Sequence, residues 1–415
     1  MEHQINVELS SSVYGGSAMG RMEDGRAVFV LFALAGERVR ARVIEEKSGY
    51  LRAELVEVVR PSKERITPRC PHFTVCGGCH YQMVSYEQQL EIKREVLLEQ
   101  LQRIARISQP PVNLVVPAPQ PWNYRNTVQF HLTPEGKVGY QQAGTHKVVA
   151  ITECYLPEVL LNEIWPQLEL EPYPGLDRIE LRLGADEEVL LVLIGREPEP
   201  PEFEVEIPIS AVHLSPKGST VLAGDDHVVM EVLGRLFYVS ADSFFQVNTA
   251  QASKMVKYLL ENLPLRPDST VLDVYCGVGL FSAFLAGKVK RCIGVEVNPK
   301  ACQDYALNLD EFDNVELYQG TAEEVLPAIN PKPDVVIVDP PRAGLERRAL
   351  QALTRLQPQM LAYVSCDPST LARDTRRLMD AGYRLEQVTP FDLFPQTYHV
   401  ESISLFRLGL QAYEK

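Results

Sequence analysis

The sequence has no apolar run of about 18 residues, the length that a helix needs to cross a membrane. It also lacks a charged start followed by an apolar block and a small-residue cleavage site, which is the pattern of a secretory signal. No internal repeat or low-complexity tract is present. These absences predict a globular protein with no membrane association and a cytoplasmic location.

Positive charge is also in short supply, since the formal net charge is -14 at neutral pH. Sequence-independent binding of nucleic acid depends on neutralising phosphates, so this charge argues against a protein that coats nucleic acid indiscriminately. The acidity is uneven. Residues 1–69 carry 11 Lys and Arg against 10 Asp and Glu, and the rest of the chain carries 30 against 45. The N-terminal segment is therefore the least repulsive surface for a polyanion.

The pattern of apolar residues divides the chain into three predicted domains. Residues 1–60 read as short strands with Gly-containing turns, which predicts a small five-stranded barrel of the oligonucleotide-binding type. Residues 61–238 read as a mostly β central domain. Residues 239–415 contain apolar strand-like runs such as "TVLDVYC", "DVVIVDPP" and "LAYVSC", each followed by a helical segment. That alternation predicts a doubly wound α/β domain.

Three of the eight cysteines lie close together in "CPHFTVCGGC", at Cys70, Cys76 and Cys79. In a large chain with the composition of an intracellular protein, such crowding indicates a metal site rather than disulfides. A tetrahedral zinc or a four-iron cluster needs a fourth ligand. The spacing leaves both metals open, and unliganded core cysteines are the alternative.

The segment "LDVYCGVGLFS" has the features of a nucleotide-binding turn. Asp273 ends a predicted strand, and Gly277 and Gly279 lie in the turn before a helix, where a ligand can approach the backbone. Ser282 stands at the position of the third glycine of a dinucleotide motif. Glu296, at the end of "CIGVEV", is placed to accept hydrogen bonds from ribose hydroxyls. These residues predict a nucleotide-like cofactor.

Two further strand ends carry reactive groups. Asp339 begins "DPPRAGL", at the edge where α/β sheets bind ligands. Cys366 ends "LAYVS", and Asp367 and Pro368 have the pattern of a helix N-cap and first helical residue. A thiol beside a positive helix end is predicted to favour the thiolate, although a lone cysteine after a strand is also a common core residue. Glu401, in "YHVESISLF", is a candidate base or an exposed strand glutamate.

Several motifs together resemble those of the RNA 5-methyluridine methyltransferase family: "FFQVN", "LDVYCGVGLFS", "DPPRAGL" and "VSCDPSTLARD". The N-terminal barrel resembles the TRAM domain of many members, and the cysteine cluster resembles their iron-sulfur site. The resemblance implies a class I (Rossmann-like) methyltransferase domain that uses S-adenosylmethionine to methylate uridine C5 in RNA. Cys366 would add to uracil C6, and Glu401 would remove the C5 proton, with His399 as a structural neighbour.

The resemblance also assigns ligands for two cofactors. A [4Fe-4S] cluster would be held by Cys70, Cys76, Cys79 and Cys154. The S-adenosylmethionine site would be formed by Gln246, Tyr275, Gly277, Glu296 and Asp339. Leu280 stands where some members have Asn, so the resemblance assigns no side-chain contact at this position.

The target is expected to be 23S ribosomal RNA, with transfer RNA as the alternative, because cluster-bearing and TRAM-bearing relatives mostly modify the former. Phe244 and Phe245 are candidates for stacking against a base taken out of its RNA stack. No obligate protein partner is inferred. Two rival functions are an NAD-dependent oxidoreductase and a non-catalytic RNA-binding protein.

Overall fold

The computed structural model describes residues 3–168, 170, 173, 175–200, 207–330 and 332–409. The strands are β1 (Gln4–Ser12), β2 (Ser17–Arg21), β3 (Ala27–Leu31), β4 (Arg38–Glu46), β5 (Tyr50–Arg60), β6 (Thr127–Leu132), β7 (Val138–Gln141), β8 (Val148–Ala150), β9 (Leu176–Leu183), β10 (Val189–Gly195), β11 (Ser210–Ser215), β12 (Gly218–Ala223), β13 (His227–Val232), β14 (Arg235–Ser240), β15 (Thr270–Val274), β16 (Arg291–Glu296), β17 (Val315–Gln319), β18 (Val335–Val338), β19 (Met360–Ser365), β20 (Tyr383–Phe391) and β21 (Glu401–Leu408).

The α-helices are α1 (Tyr86–Arg103), α2 (Val159–Ile164), α3 (Thr249–Asn262), α4 (Leu280–Leu285), α5 (Pro299–Asn308), α6 (Ala322–Val325), α7 (Arg347–Leu356) and α8 (Pro368–Asp380). Short 3-10 helices extend α2, α4 and α6 at Trp165–Gln167, Ala286–Lys288 and Leu326–Ala328. Within the described ranges, no helix is long and apolar enough to cross a membrane.

The N-terminal strands close into a barrel in the order β1-β2-β3-β5-β4. Buried and exposed residues alternate along β1, so that Ile5, Val7 and Leu9 face the barrel core. This alternation is the period-two pattern that the sequence shows. The expected five-stranded barrel is confirmed.

The central region contains a seven-stranded sheet in the order β12-β11-β10-β9-β6-β7-β8. Arg182 of β9 anchors this sheet to the start of the C-terminal region, because its guanidinium donates hydrogen bonds to the carbonyls of Ser240, Ala241 and Ser243 at 2.8–2.9 Å. Arg182 also pairs with Glu180 at 2.6 Å. A buried guanidinium must be fully hydrogen-bonded, so this joint fixes one region against the other.

The C-terminal sheet has seven strands in the order β17-β16-β15-β18-β19-β21-β20. The first five are parallel, and β21 is antiparallel to both β19 and β20. The doubly wound α/β architecture is therefore confirmed. The predicted domain boundary at 238/239 falls inside β14, and the outer ends of the division, at residues 1 and 415, lie outside the described residues. The three-domain division itself stays a prediction.

Helix α1 lies in the segment assigned to the central domain, but it packs against the C-terminal one. Leu97 and Leu101 share a core with residues of β15 and β19. On the same helix, the Lys93 ammonium donates to Asp392 at 2.5 Å and to the carbonyl of Phe394 at 3.0 Å, and both charged side chains are almost fully buried. This ion pair ties α1 to the loop between β20 and β21.

The Lys93–Asp392 pair gives a stability prediction. Lys93→Met leaves the Asp392 carboxylate buried without its cation, and we expect the free energy of unfolding to fall by about 3 kcal/mol. Urea unfolding followed by circular dichroism measures the change. As a matched control, Lys257→Met replaces an exposed lysine of α3 and should change stability by no more than about 0.5 kcal/mol. Equal losses in the two variants would contradict a structural role for the pair.

Candidate active site at the carboxyl ends of the sheet

Four of the residues selected from the sequence lie at the same edge of the C-terminal sheet. Tyr275 follows β15, Glu296 ends β16, Asp339 follows β18 and Cys366 follows β19. These strands are parallel neighbours, so their carboxyl ends meet at one edge, which is where open α/β sheets bind ligands. The sequence separates these residues by up to about 90 positions, and the topology brings their strand ends together.

The strand register brings Cys366 opposite Glu401. Ser365 of β19 pairs with Ser402 of β21, and the antiparallel step beyond that pair is Cys366 with Glu401. Glu401 is only 5% exposed, and its Oε1 atom has no hydrogen-bond partner within the described part of the chain. Cys366 is partly exposed, so a substrate can reach its thiol. A buried carboxyl group without a partner is unusual and indicates a functional role.

The electrostatics of this pair differ from the expectation drawn from the sequence. Burial raises the pKa of the Cys366 thiol to about 12, with a further increase from the negative charges of Glu401 and Asp339. The prediction that the following helix favours the thiolate is therefore wrong for the resting site. The N-cap of α8 is itself an acid, Asp367. Its side chain accepts hydrogen bonds from the amides that would otherwise stabilise a thiolate. Burial also raises the pKa of Glu401 well above its ordinary value, and the charge of Asp339 adds to the effect.

Arg342 is the cation that opposes these effects, because its charge lowers the pKa of both Cys366 and Glu401. Helix α8 holds its loop in place. The Thr370 hydroxyl donates to the carbonyl of Arg342 at 3.1 Å, and Arg373 donates to the carbonyl of Ala343 at 2.8 Å. Gly344 has φ +74°, and a Cβ atom there would lie 2.5 Å from Asp374. Arg342 was not selected from the sequence. Its place three residues after Asp339, in the motif "DPPRAGL", is the signal that could have identified it.

A half-buried acid, Asp339, and a buried one, Asp273, lie at this edge. Burial raises the pKa of Asp339 to about 7, with the negative charge of Asp273 as the second cause. Burial likewise raises the pKa of Asp273 to about 6, although the amide and hydroxyl of Ser282 donate to Asp273 at 3.2 and 2.7 Å. Ser282, which replaces the third glycine of a dinucleotide motif, thus has its own task as a hydrogen-bond donor to the strand acid.

The two glycines of the cofactor turn have different roles. Gly277 has φ +53°, and a Cβ atom there would meet nothing within 4 Å, so open space lies above it. Gly279 has φ +92°, and a Cβ atom would lie 2.4 Å from Leu309 and 2.9 Å from Tyr305. Gly279 is therefore needed for packing, whereas Gly277 faces open space. Leu280 is buried.

Backbone amides orient the side chain of Glu296, and one of them belongs to the turn that contains Gly277. Its carboxylate accepts from the amide of Gly277 at 3.0 Å, and from the amides of Val297 and Asn298 at 2.9 and 2.8 Å. A carboxylate has about four acceptor sites, so this arrangement leaves capacity for a hydroxyl donor. The side chain is preorganised and not saturated, as a ribose-binding acid requires.

The segment "FFQVN" lies between β14 and α3, where Asn248 caps α3. Phe244 is 70% exposed, whereas Phe245 is 8% exposed and packs against Phe237. Phe244 is thus available for stacking, and Phe245 is a core residue. Gln246 is partly buried, and its backbone carbonyl accepts from the Asn126 side chain at 3.1 Å. This bond joins the segment to the entrance of the central sheet.

The four predicted cluster cysteines line one cavity in the central region. Cys70, Cys76 and Cys79 come from the loop before α1, and Cys154 comes from the segment before α2. The amide of Gly78 donates to the Cys76 sulfur at 3.3 Å, which is the type of contact that stabilises a thiolate ligand. Apart from Cys366, the remaining cysteines are buried, namely Cys276, Cys292 and Cys302.

Among the described residues, no group of three or more His, Cys, Asp or Glu side chains is arranged to hold a metal ion. Zinc would draw its sulfur ligands to about 2.3 Å from one point. In a four-iron cluster each thiolate binds a different iron, so the sulfurs stand further apart. Four thiols that line one pocket supply the donor set that either metal would need, so the choice between zinc and a four-iron cluster stays a prediction.

Comparisons with known proteins agree with this architecture. Residues 216–407 match the family model of tRNA (uracil-5-)-methyltransferase, and residues 4–56 match that of the TRAM domain. Uncharacterized RNA methyltransferases of Halalkalibacterium halodurans and Thermosynechococcus vestitus are 33% and 35% identical, with 97% of this chain and 97% of each relative covered. A solved structure of Pyrococcus abyssi tRNA (uracil-54, C5)-methyltransferase with S-adenosyl-L-homocysteine is 25% identical, covers 97% of this chain and 100% of its own, and has a TM-score of 0.73.

The matches extend over the barrel, the central region and the C-terminal domain, so they concern the whole architecture and not one module. These matches exclude an NAD-dependent oxidoreductase, and they support an enzyme over a non-catalytic RNA-binding protein. This chain belongs to the RNA 5-methyluridine methyltransferase family, in the form that carries an N-terminal TRAM domain.

Proposed function

We propose that the protein methylates C5 of a uridine in RNA with S-adenosylmethionine, using Cys366 as nucleophile and Glu401 as base. The observation that carries this proposal lies at the ligand-binding edge of the sheet, next to Ser365–Ser402, the last registered pair of β19 and β21. There Cys366 offers an accessible thiol, and Glu401 a buried carboxyl group whose Oε1 atom has no hydrogen-bond partner among the described residues. Uracil C5 is a weak nucleophile, and a thiol on one side with a base on the other is what its substitution requires.

The first step is addition of the Cys366 sulfur to C6. Cys366 must first lose its proton, which passes to water because the side chain is partly exposed, and the raised pKa of its thiol means that the resting enzyme holds it neutral. Arg342 lowers that pKa, and the positive sulfur of bound S-adenosylmethionine would lower it further. The new C–S bond moves the electron pair of the C5–C6 double bond onto C5 and O4, and this enolate carries the negative charge.

S-adenosylmethionine supplies an electrophilic methyl group on a positively charged sulfur. C5 of the enolate would bond to that methyl carbon as the methyl–sulfur bond breaks, and the sulfur would leave as the neutral thioether of S-adenosylhomocysteine. C5 would then bear both a methyl group and a proton. Glu401 removes the proton, the double bond re-forms, and the Cys366 sulfur leaves as thiolate. Burial that raises the pKa of Glu401 also makes its carboxylate a stronger base, so the same environment suits the last step.

Cofactor binding is assigned to the turn and to the strand-end acids. Glu296 would accept from the ribose hydroxyls with its remaining acceptor capacity, and Gly277 leaves the space for close approach. Asp339, whose pKa is raised to about 7, would face the charged part of the ligand. Gln246 and Tyr275 complete the proposed site. Tyr275 has φ +65°, a conformation that non-glycine residues rarely adopt and that is common at binding turns.

A uridine must leave its stack to reach Cys366, and the unpaired base then needs a surface. Phe244 is exposed close to Gln246 and offers an aromatic face. Further RNA contacts are proposed for Arg69, which lies 4.0 Å over the ring of Tyr155 and 5.4 Å over that of Trp122, beside the cysteine cavity. Guanidinium and aromatic planes are the groups on which single-stranded bases stack.

For the RNA target we propose 23S ribosomal RNA, with transfer RNA as the second candidate. The combination of TRAM barrel and four-cysteine cavity favours the former, and the name of the matching family and the Pyrococcus abyssi neighbour favour the latter. A cytoplasmic location stays a prediction.

For the cysteine cavity we propose a [4Fe-4S] cluster held by Cys70, Cys76, Cys79 and Cys154. Methyl transfer to C5 moves no net electrons to or from the enzyme, so the reaction assigns the cluster no redox step. Its proposed task is to hold the loop before α1 against the segment before α2 and so to shape the RNA-binding surface.

The central prediction concerns two substitutions. Cys366→Ala removes the group that adds to C6, and we expect methyl transfer to fall below detection. Glu401→Gln keeps the thiol but loses the base, so the methylated adduct accumulates because its C5 proton is not removed. Transfer of labelled methyl groups measures the first effect, and a shift of the protein–RNA adduct on denaturing gels measures the second.

Cys292→Ala is the matched control, since it removes a buried thiol of β16 outside the proposed machinery and should retain activity. Turnover at the wild-type rate by Cys366→Ala would refute the mechanism.

The target prediction is tested with RNA from cells that lack 5-methyluridine. Incubation with labelled S-adenosylmethionine should place label in one or more uridines of 23S ribosomal RNA, and mapping of the digested RNA identifies them. Label confined to transfer RNA would replace the first target by the second. Label in neither RNA would reject both.

The cluster prediction uses the anaerobically purified protein. We expect about four irons and four sulfides per chain, with the broad visible absorption of thiolate-bound iron. Cys79→Ser should lose most of the iron, whereas Cys292→Ala should keep it. Stoichiometric zinc without sulfide in the wild-type protein would contradict the proposal.

A further inference from the structure

The turn between β1 and β2 of the TRAM barrel is docked against the catalytic domain. The amide of Val13 donates to the carbonyl of Ser17 at 3.0 Å and closes the turn. Gly16 has φ +83°, and a Cβ atom there would lie 3.2 Å from both His80 and Tyr398. A larger residue would push the barrel away, so the close approach depends on this glycine. Tyr398 belongs to the segment that leads into Glu401.

Tyr14, at the tip of this turn, reaches the residue next to the nucleophile. Its hydroxyl donates to Oδ2 of Asp367 at 2.9 Å, across 353 positions of the chain. Its ring packs edge-on against Tyr398, with the centroids 5.6 Å apart. The barrel therefore contacts both the loop that carries Cys366 and the segment that precedes Glu401.

Asp367 needs this partner to be fully oriented. Its Oδ1 atom accepts from the amides of Ser369 and Thr370, both at 2.9 Å, and from the Ser369 hydroxyl at 2.5 Å. These contacts cap helix α8 but leave Oδ2 free apart from Tyr14. With both oxygens bonded, the carboxylate has one orientation. Hydrogen bonds that include the one from Tyr14 also lower the pKa of Asp367 against the opposing effect of burial, so it is an anion.

The orientation of Asp367 matters because its charge lies beside the Cys366 thiol. Cys366 is held between Ser365 and Asp367, which exchange hydrogen bonds of 3.3 and 3.1 Å through the Ser365 hydroxyl. The negative charge of Asp367 is one of the influences that disfavour the Cys366 thiolate. The hydrogen bond from the Tyr14 hydroxyl to Oδ2 keeps that oxygen in place and offsets part of its charge. Without Tyr14, Oδ2 would be free to turn and its charge would be unscreened.

We infer that Tyr14 is a positioning residue for the nucleophile, so that the N-terminal barrel completes the catalytic site as well as binding RNA. The inference rests on the proposed role of Cys366. A barrel that served only to bind RNA would contribute affinity and leave the reaction rate of the bound complex unchanged. The inference therefore adds a second role for the barrel.

The test is Tyr14→Phe, which keeps the ring contact with Tyr398 and removes only the hydroxyl. The reaction measured is adduct formation at saturating enzyme with RNA that carries 5-fluorouridine at the target, since fluorine at C5 prevents the final elimination. A charge-assisted hydrogen bond of this kind predicts a rate about tenfold lower. The RNA dissociation constant should not change, because the hydroxyl faces Asp367 and not the RNA.

Two comparisons separate this role from general packing. Tyr50→Phe is the matched control within the same barrel, since Tyr50 lies on β5 and contacts Phe29 and Arg52 instead of the catalytic domain. Its adduct rate should equal that of the wild type. Asp367→Asn retains the capping oxygen, and in that background Tyr14→Phe should have little further effect, because Tyr14 acts through the Asp367 carboxylate.

An unchanged adduct rate in Tyr14→Phe, or a loss confined to RNA affinity, would overturn the inference. An equal tenfold loss in the Asp367→Asn background would also overturn it, because Tyr14 would then act by another route. Absence of any adduct with the wild-type protein would instead overturn the proposed function, and the inference with it. Urea unfolding of each variant shows that the compared proteins are folded.

Discussion

The antiparallel pairing of β21 with β19 is the constraint on which the proposed chemistry depends. Parallel strands bring their carboxyl ends to one edge, which explains how Glu296, Asp339 and Cys366 meet. They cannot bring the start of a strand to that edge. Because β21 runs the other way, its first residue, Glu401, arrives there beside Cys366. One reversed strand thus places the proposed base, Glu401, at the edge that already carries the proposed nucleophile, Cys366.

The cost of this arrangement is electrostatic, since a thiol and several acids share a poorly solvated edge. Burial and mutual repulsion keep them towards their neutral forms, and Arg342 is the cation that acts against this tendency at Cys366 and Glu401. Such a site is stable only if its loops cannot relax away from one another. Helix α1 holds the loop before β21 through Lys93, and the barrel holds the Cys366 loop through Tyr14.

Local patterns in the sequence were sufficient for the architecture. Alternation in β1 identified the barrel, and buried strands alternating with helices identified the α/β domain. The Asp367–Pro368 pair also predicted the start of α8. The pattern did not predict the raised pKa of Cys366, because that shift comes from burial and from Glu401 and Asp339, which are distant in sequence. The Tyr14–Asp367 bond spans the whole chain and has no local signal. Phe244 and Phe245 were indistinguishable until packing buried the second.

The most direct test of the account is to locate the covalent bond between enzyme and RNA. The adduct with 5-fluorouridine RNA is digested with protease and nuclease, and mass spectrometry identifies the modified peptide. The account predicts that the nucleotide is attached to Cys366 and that its C5 carries both fluorine and the transferred methyl group. Attachment to another cysteine, or methyl transfer to C5 with no covalent intermediate, would contradict it.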